Sequence, residues 1–109
     1  MEDIAVGQLT IRFRVVGDES NGSAAIFELI VPPGAHVPAP HFHDAYEETL
    51  VGLEGELVWT VEDAPRRVGP GDVVCIRRGE VHGFVNEGGE TARQLAIVTP
   101  AAIGPQFFR

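Results

Sequence analysis

The stretch PAPHFHDAYEETLVGLEGE, Pro38 to Glu56, places His41 and His43 one residue apart and follows them with the adjacent glutamates Glu47 and Glu48. Along an extended strand, side chains at i and i+2 point to the same face, about 6.5 to 7 Å apart. Two imidazoles so placed can converge on one ion. Together with a carboxylate they make a donor set for divalent first-row metals. An HxH pair alone is weak, because histidines at that spacing also occur on ordinary surfaces, so its meaning depends on the rest of the chain.

Outward from this stretch, Gly and Pro fall at short intervals and divide the chain into short runs rich in β-branched and aromatic residues. Seven runs predict strands: LTIRFRVV (9–16), AAIFELIV (24–31), ETLVGL (48–53), ELVWTV (56–61), DVVCI (72–76), VHGFVN (81–86) and RQLAIVTP (93–100). Turn formers separate them, among them GDESNG, VPPGA, LEGE, VEDAP, GPGD, RRGE and NEGGE. The pattern is all-β. Antiparallel strands at this spacing hide their edges by closing into a barrel or stacking as a jelly roll. The closing AAIGPQFFR predicts a short helix or an apolar tail, with Phe107 and Phe108 covering a barrel mouth, a neighbouring subunit or the edge of the core.

A chain of 109 residues without repeats or a low-complexity linker reads as one domain, 1–109. Its single cysteine, Cys75, excludes an intramolecular disulfide and fits a reducing compartment. The opening MEDIAVGQLT has neither a basic nor an apolar leader region, and no apolar run is long enough for a bilayer, so a cytoplasmic protein is expected. Sixteen acids oppose eight arginines, with no lysine, for a net charge of -8. That excess repels phosphate backbones and anionic lipid heads, so neither nucleic acid nor membrane is an expected partner. No Gly-rich loop opens a helix, no serine elbow is present and no second acidic cluster forms an acid/base pair, which disfavours nucleotide binding and serine-type hydrolysis.

Two ordered motifs give the histidines their context. GAHVPAPHFHDAYEETLVGLEG (34–55) resembles the first cupin motif, G(X)5HXH(X)3-4E(X)6G, with His41, His43, Glu48 and Gly55 in register. GDVVCIRRGEVHGFVN (71–86) resembles the second, G(X)5PXG(X)2H(X)3N, through Gly71, Gly79, His82 and Asn86. The likeness covers about the central half of the chain. It implies a small β-barrel of jelly-roll type, a double-stranded β-helix, holding one divalent transition metal (Fe, Mn, Ni, Cu, Co or Zn) on His41, His43, Glu48 and His82. There are two departures: six residues rather than five separate Gly34 from His41, and Arg77 stands where the second motif has proline. Strand parity counted from His43 puts Glu47 inward, whereas the motif spacing selects Glu48. Glu48 is the choice, because DAYE is polar enough to leave the ladder and reset parity.

Each of these residues also has a plainer reading. The four site residues could form a polar hydrogen-bonded cluster around a ligand or water. His36, outside the motif, is expected at the surface, with a rim role as the alternative, and Arg77 is expected as a solvated hairpin arginine. Cys75, in the apolar run DVVCI with no cation on its strand, is expected to be a buried inert thiol. Trp59 and Phe84 are expected to pack the interior, Phe84 sharing a face with His82. Phe42 should point away from its flanking histidines, which with the habit of small cupins suggests a homodimer.

Two functions follow. In the first, the metal centre acts on a small organic substrate, by oxygen-dependent cleavage as in dioxygenase cupins or by isomerisation or decarboxylation at a carbonyl, with Glu48 as ligand or base. In the second, the barrel binds a small molecule or metal without turnover. The absence of a partner domain for reporting favours the first.

Overall fold

The computed structural model describes residues 3–36 and 41–109. Nine strands run through the described residues: β1 (Asp3–Val6), β2 (Leu9–Val15), β3 (Ala25–Val31), β4 (Glu47–Glu54), β5 (Leu57–Val61), β6 (Ala64–Val68), β7 (Val73–Ile76), β8 (His82–Val85) and β9 (Ala92–Thr99). A 3₁₀ turn at Gly17–Ser20 and a terminal helix, α1 (Pro105–Phe108), complete them. The strands form two antiparallel sheets, six-stranded in the order β1-β2-β3-β9-β4-β7 and three-stranded in the order β6-β5-β8. This is the jelly roll that the punctuation predicts. No helix among the described residues is long and apolar enough to cross a membrane.

All seven predicted strands are present, with ends shifted by a residue or two. Two further strands carry no strong signal. β1 is only four residues long and lies against a glycine turn. β6, APRRV, holds a proline and two arginines and reads as turn, yet it pairs with β5 through Glu62 and Asp63, both at positive φ. Its place at a sheet edge explains the tolerance, since an edge strand has a free side for a missing N–H and for charge.

Period-two alternation buries one face of each strand. In β9, Ala92, Gln94, Ala96 and Val98 are all inside, and they meet Phe27, Leu29 and Val31 of β3, Leu50 of β4 and Leu57 and Trp59 of β5 in one core. The polar member is satisfied: the Trp59 indole N–H donates to Gln94 Oε1 at 2.8 Å, and Gln94 Nε2 donates to the Val68 carbonyl at 2.7 Å. This pair ties the two sheets together inside the core.

Cys75 is exposed rather than buried. Val74 and Ile76 take the inward positions of β7, so Val73 and Cys75 face out. A short apolar run mimics a strand covered on both sides, but this one lies at the edge of its sheet and is covered on one. At Gly52 the glycine is demanded by approach. A Cβ there would lie 1.9 Å from the Gly69 carbonyl oxygen, where the segment Gly69–Asp72 crosses β4 and pairs with it through Gly52 N–H to Asp72 O at 2.9 Å.

Candidate metal centre and its cavity

The site forms where β8 meets the segment leading into β4. His41 and His82 face each other as an isolated antiparallel bridge, exchanging backbone hydrogen bonds at 2.9 and 2.8 Å. Residues 42–46 then leave regular structure, and Gly79 N–H holds the His43 carbonyl at 2.8 Å. The segment is not a regular strand: His41 alone forms a bridge, the bends come at residues 44–45, and the His41 and His43 rings still converge. Ring centroids of His41, His43 and His82 lie 4.4 to 4.9 Å apart. One ring nitrogen from each falls within 4.8 Å of the others.

The departure at DAYE resets parity. Glu48 is buried, with Oε1 3.7 Å from His43 Nε2 and 3.8 Å from His82 Nε2. Glu47 turns away and pairs with Arg78 at 2.8 Å. His36 is exposed at the cavity rim and outside the histidine cluster, and Arg77 is exposed and paired with Glu80. Phe42 is 56% exposed. Most of the approach loop before His41, residues 37–40, lies outside the described residues.

Residues 27–98 match the cupin domain family. The chain belongs to the cupins. A Myxococcus xanthus (strain DK1622) protein named endoribonuclease YbeY is 29% identical over 82 residues, covering 75% of this cupin but 27% of the relative. The chain thus spans about a quarter of that protein. Among solved structures, KdgF from Halomonas sp. superposes with a TM-score of 0.83 at 16% identity, over 98% of this cupin and 91% of KdgF. A predicted oxalate decarboxylase from Thermotoga maritima superposes with a TM-score of 0.82 at 24% identity, over 91% and 90% of the two chains. At these identities the likeness is one of fold.

The second-motif residues show their physical roles in this cupin. Asn86 is buried and fully bonded: Nδ2 donates to the carbonyls of Val31 and Glu90 at 2.9 and 2.8 Å, and Oδ1 accepts from Gly88 N–H at 2.9 Å. It staples the end of β8 to β3. Gly34 donates its N–H to the Asn86 carbonyl at 2.9 Å, so the extra residue after it leaves the turn anchored.

The electrostatics favour neutral rings at His43 and His82. Burial, then the nearby His82 and His41, push His43 down to about 4. Burial also lowers His82, outweighing the contact with the Glu80 carbonyl. Burial raises the Glu48 carboxyl to about 7. The Tyr46 phenol is pushed up by burial and then by Glu48, so it stays protonated, and its ring stacks on His43 with centroids 4.4 Å apart. His82 Nδ1 lies 2.9 Å from the Glu80 carbonyl oxygen, which assigns the proton to Nδ1 and leaves a lone pair on Nε2. That Nε2 is buried without a hydrogen-bond partner. A buried, oriented lone pair beside two more imidazoles and a carboxylate fits a divalent metal.

The cluster opens on a cavity of about 480 Å³. Trp59 and Phe84 pack together beside His82 on one side, their ring centroids 4.8 Å apart. Ile11, Phe27, Leu29 and the terminal Phe107 and Phe108 also line it. Phe108 packs on Phe13 and Phe27 with centroids 5.9 and 5.2 Å apart, so the tail packs against the core beside the cavity. Tyr46 and this aromatic wall escape a motif reading. Tyr46 sits in a stretch read as polar, and the wall joins residues about eighty positions apart.

Proposed function

We propose that this cupin is a mononuclear metal-dependent enzyme acting on a small organic substrate, with His41, His43 and His82 as ligands. The single observation that carries the reading is the buried, unpartnered Nε2 of His82 inside a cluster of three imidazoles. A divalent transition metal there supplies positive charge and open positions for substrate oxygens or dioxygen. Iron, manganese, nickel, copper, cobalt and zinc all suit the donor set.

Glu48 is the residue proposed to hold or move a proton. Its carboxyl, raised to about 7, can take a proton from an enolisable or phenolic substrate at neutral pH, or serve as the fourth ligand once ionised. Tyr46 braces His43, and apolar and aromatic side chains line the rest of the cavity. These features favour a dioxygenase-like cleavage, in which both oxygen atoms enter the substrate, over isomerisation or decarboxylation. The oxalate named for the Thermotoga protein is a dianion, and this cavity offers it no cationic side chain among the described residues. The activity named for the Myxococcus protein is not carried over, because a chain of charge -8 repels a phosphate backbone.

The test is elemental analysis of untagged protein purified without chelators, followed by oxygen uptake with catechols, diketones and flavonols. About one equivalent of a redox metal with substrate-dependent uptake supports the reading. No metal after reconstitution overturns it. A homodimer is also proposed, on the exposure of Phe42 and Val73, and a monomeric mass by sedimentation equilibrium would contradict it.

A further inference from the structure

We infer that the ligand of this cavity is a mainly apolar molecule with at most one charged group and roughly ten to fifteen non-hydrogen atoms, presenting one oxygen-bearing end to the histidine cluster. The inference rests on the proposed metal site for that end only. The rest follows from the walls.

Charge selects first. The chain has no lysine, and none of its eight arginines lines the cavity. Arg12 is paired with Asp3, Arg14 and Arg93 with Glu28, Arg67 with Glu56, Arg77 with Glu80 and Arg78 with Glu47. The segment 37–40, Val-Pro-Ala-Pro, contributes no cation by its sequence. A second carboxylate or a phosphate on the ligand would be buried among phenylalanines, and near Glu48 it would meet like charge. Anions with more than one charged group are therefore rejected.

Polarity selects next. Away from His41, His43, His82, Tyr46 and Glu48, the polar side chains on the wall among the described residues are Gln8 and the rim residue His36. A polyhydroxylated ligand would lose water from several hydroxyls and find few partners, and unpaired buried hydroxyls are disfavoured. Ile11, Phe27, Leu29, Trp59, Phe84 and Phe108 offer instead aromatic and branched surface. They suit a flat ring or short alkyl group, whose burial is favourable without specific partners. The volume sets the size: about 480 Å³ equals roughly sixteen water-sized shares of about 30 Å³ each.

The experiment titrates metal-free and metal-loaded protein with the neutral fluorophore 1-naphthylamine and then displaces it. The expected result is saturation at one probe per chain in both forms, displacement by 1-phenylbutane-1,3-dione, and none by oxalate or gluconate at hundredfold higher concentration. Phe107→Asp, a change at an exposed rim position that the fold should tolerate, should weaken the probe at least fivefold. Leu29→Asn should do so from within the wall, and should it not fold, Phe107→Asp still decides. No saturable binding, displacement by oxalate or gluconate but not by the diketone, or affinity unchanged in every folded variant would overturn the inference. Probe and diketone binding in a protein that takes up no metal upholds it while removing the metal-enzyme reading. One equivalent of bound metal perturbed only by oxalate or gluconate does the reverse.

Discussion

His82 Nδ1 lies 2.9 Å from the carbonyl oxygen of Glu80, two residues earlier in the connection that leads from β7 into β8, and this contact sets which nitrogen of the ring faces the cluster. The backbone thereby fixes the tautomer, and the ring cannot turn Nε2 elsewhere without losing the bond. Outer hydrogen bonds of this kind commonly change metal affinity 10- to 100-fold.

His82→Ala should accordingly lower metal affinity at least tenfold, whereas His36→Ala, at the rim, should change it less than twofold. Competition with a chelating dye on both variants makes the comparison. Equal losses would sink the division of the four histidines into three that bind and one that does not.

Glu47 and Glu48 separate when metal content and turnover are both measured. Glu47→Gln removes only the partner of Arg78 at the surface, so metal content should match the parent within error. Glu48→Gln keeps the shape but removes the carboxylate beside His43 and His82, and turnover should fall about 10²- to 10⁴-fold as for a lost acid–base group. A Glu47→Gln variant that lost its metal while Glu48→Gln kept it would reverse the assignment.

The pH at which metal is lost follows from competition between protons and metal for the imidazoles. Because burial holds His43 at about 4 and lowers His82, protons compete poorly until the solution is well below the ordinary histidine value of 6.5. Occupancy should stay level from pH 8 to about 6.5 and decline as pH falls toward 4. Equilibrium dialysis across that range checks it, and full retention in strong acid would count against histidine ligation.

How much of this was legible beforehand depended on the range over which each signal acts. Strand runs and turn residues are local, so the seven runs from Leu9 to Pro100 forecast all but two strands, and β6 was hidden because Pro65 and two arginines are tolerated at an edge. His41 and His43 drew notice by their i, i+2 spacing, and His82 joined them through the two ordered motifs. Glu48 was legible only through the motif, since parity pointed to Glu47 until the chain left the ladder at residues 42–46. The exposure of Cys75 depends on which face of an edge strand is covered, and the apolar wall joins Ile11 to Phe108. Neither leaves a periodic trace.

Gly52 tests the framework beneath the site. A methyl group at 1.9 Å from the Gly69 carbonyl must push the Gly69–Asp72 segment off β4, because the obstacle is backbone. Gly52→Ala should cost about 3 kcal/mol, the upper end of overpacking effects, and lower the melting temperature by roughly 10–20 °C. A variant as stable as the parent in a thermal melt would show that the segment is free to move.

Glu28 gives the sharpest pH test of the fold itself. It is a buried carboxylate on the outer face of the larger sheet, where Arg14 Nε donates to Oε2 at 2.7 Å and Arg93 Nη2 donates to Oε1 at 2.8 Å. Burial alone would raise its pKa, but the bonds from Arg93 and Arg14 prevail and hold it below the usual 4.5. With the folded value below the unfolded one, the unfolded chain binds the proton more readily. The stabilisation is therefore complete above about 4.5 and is lost as pH falls through the folded value. Glu28→Gln should cost about 1–3 kcal/mol at pH 7, and the gap between parent and variant in urea should narrow steadily below pH 4.5. A gap that stayed constant into acid would mean that the arginines contribute through packing and not through charge.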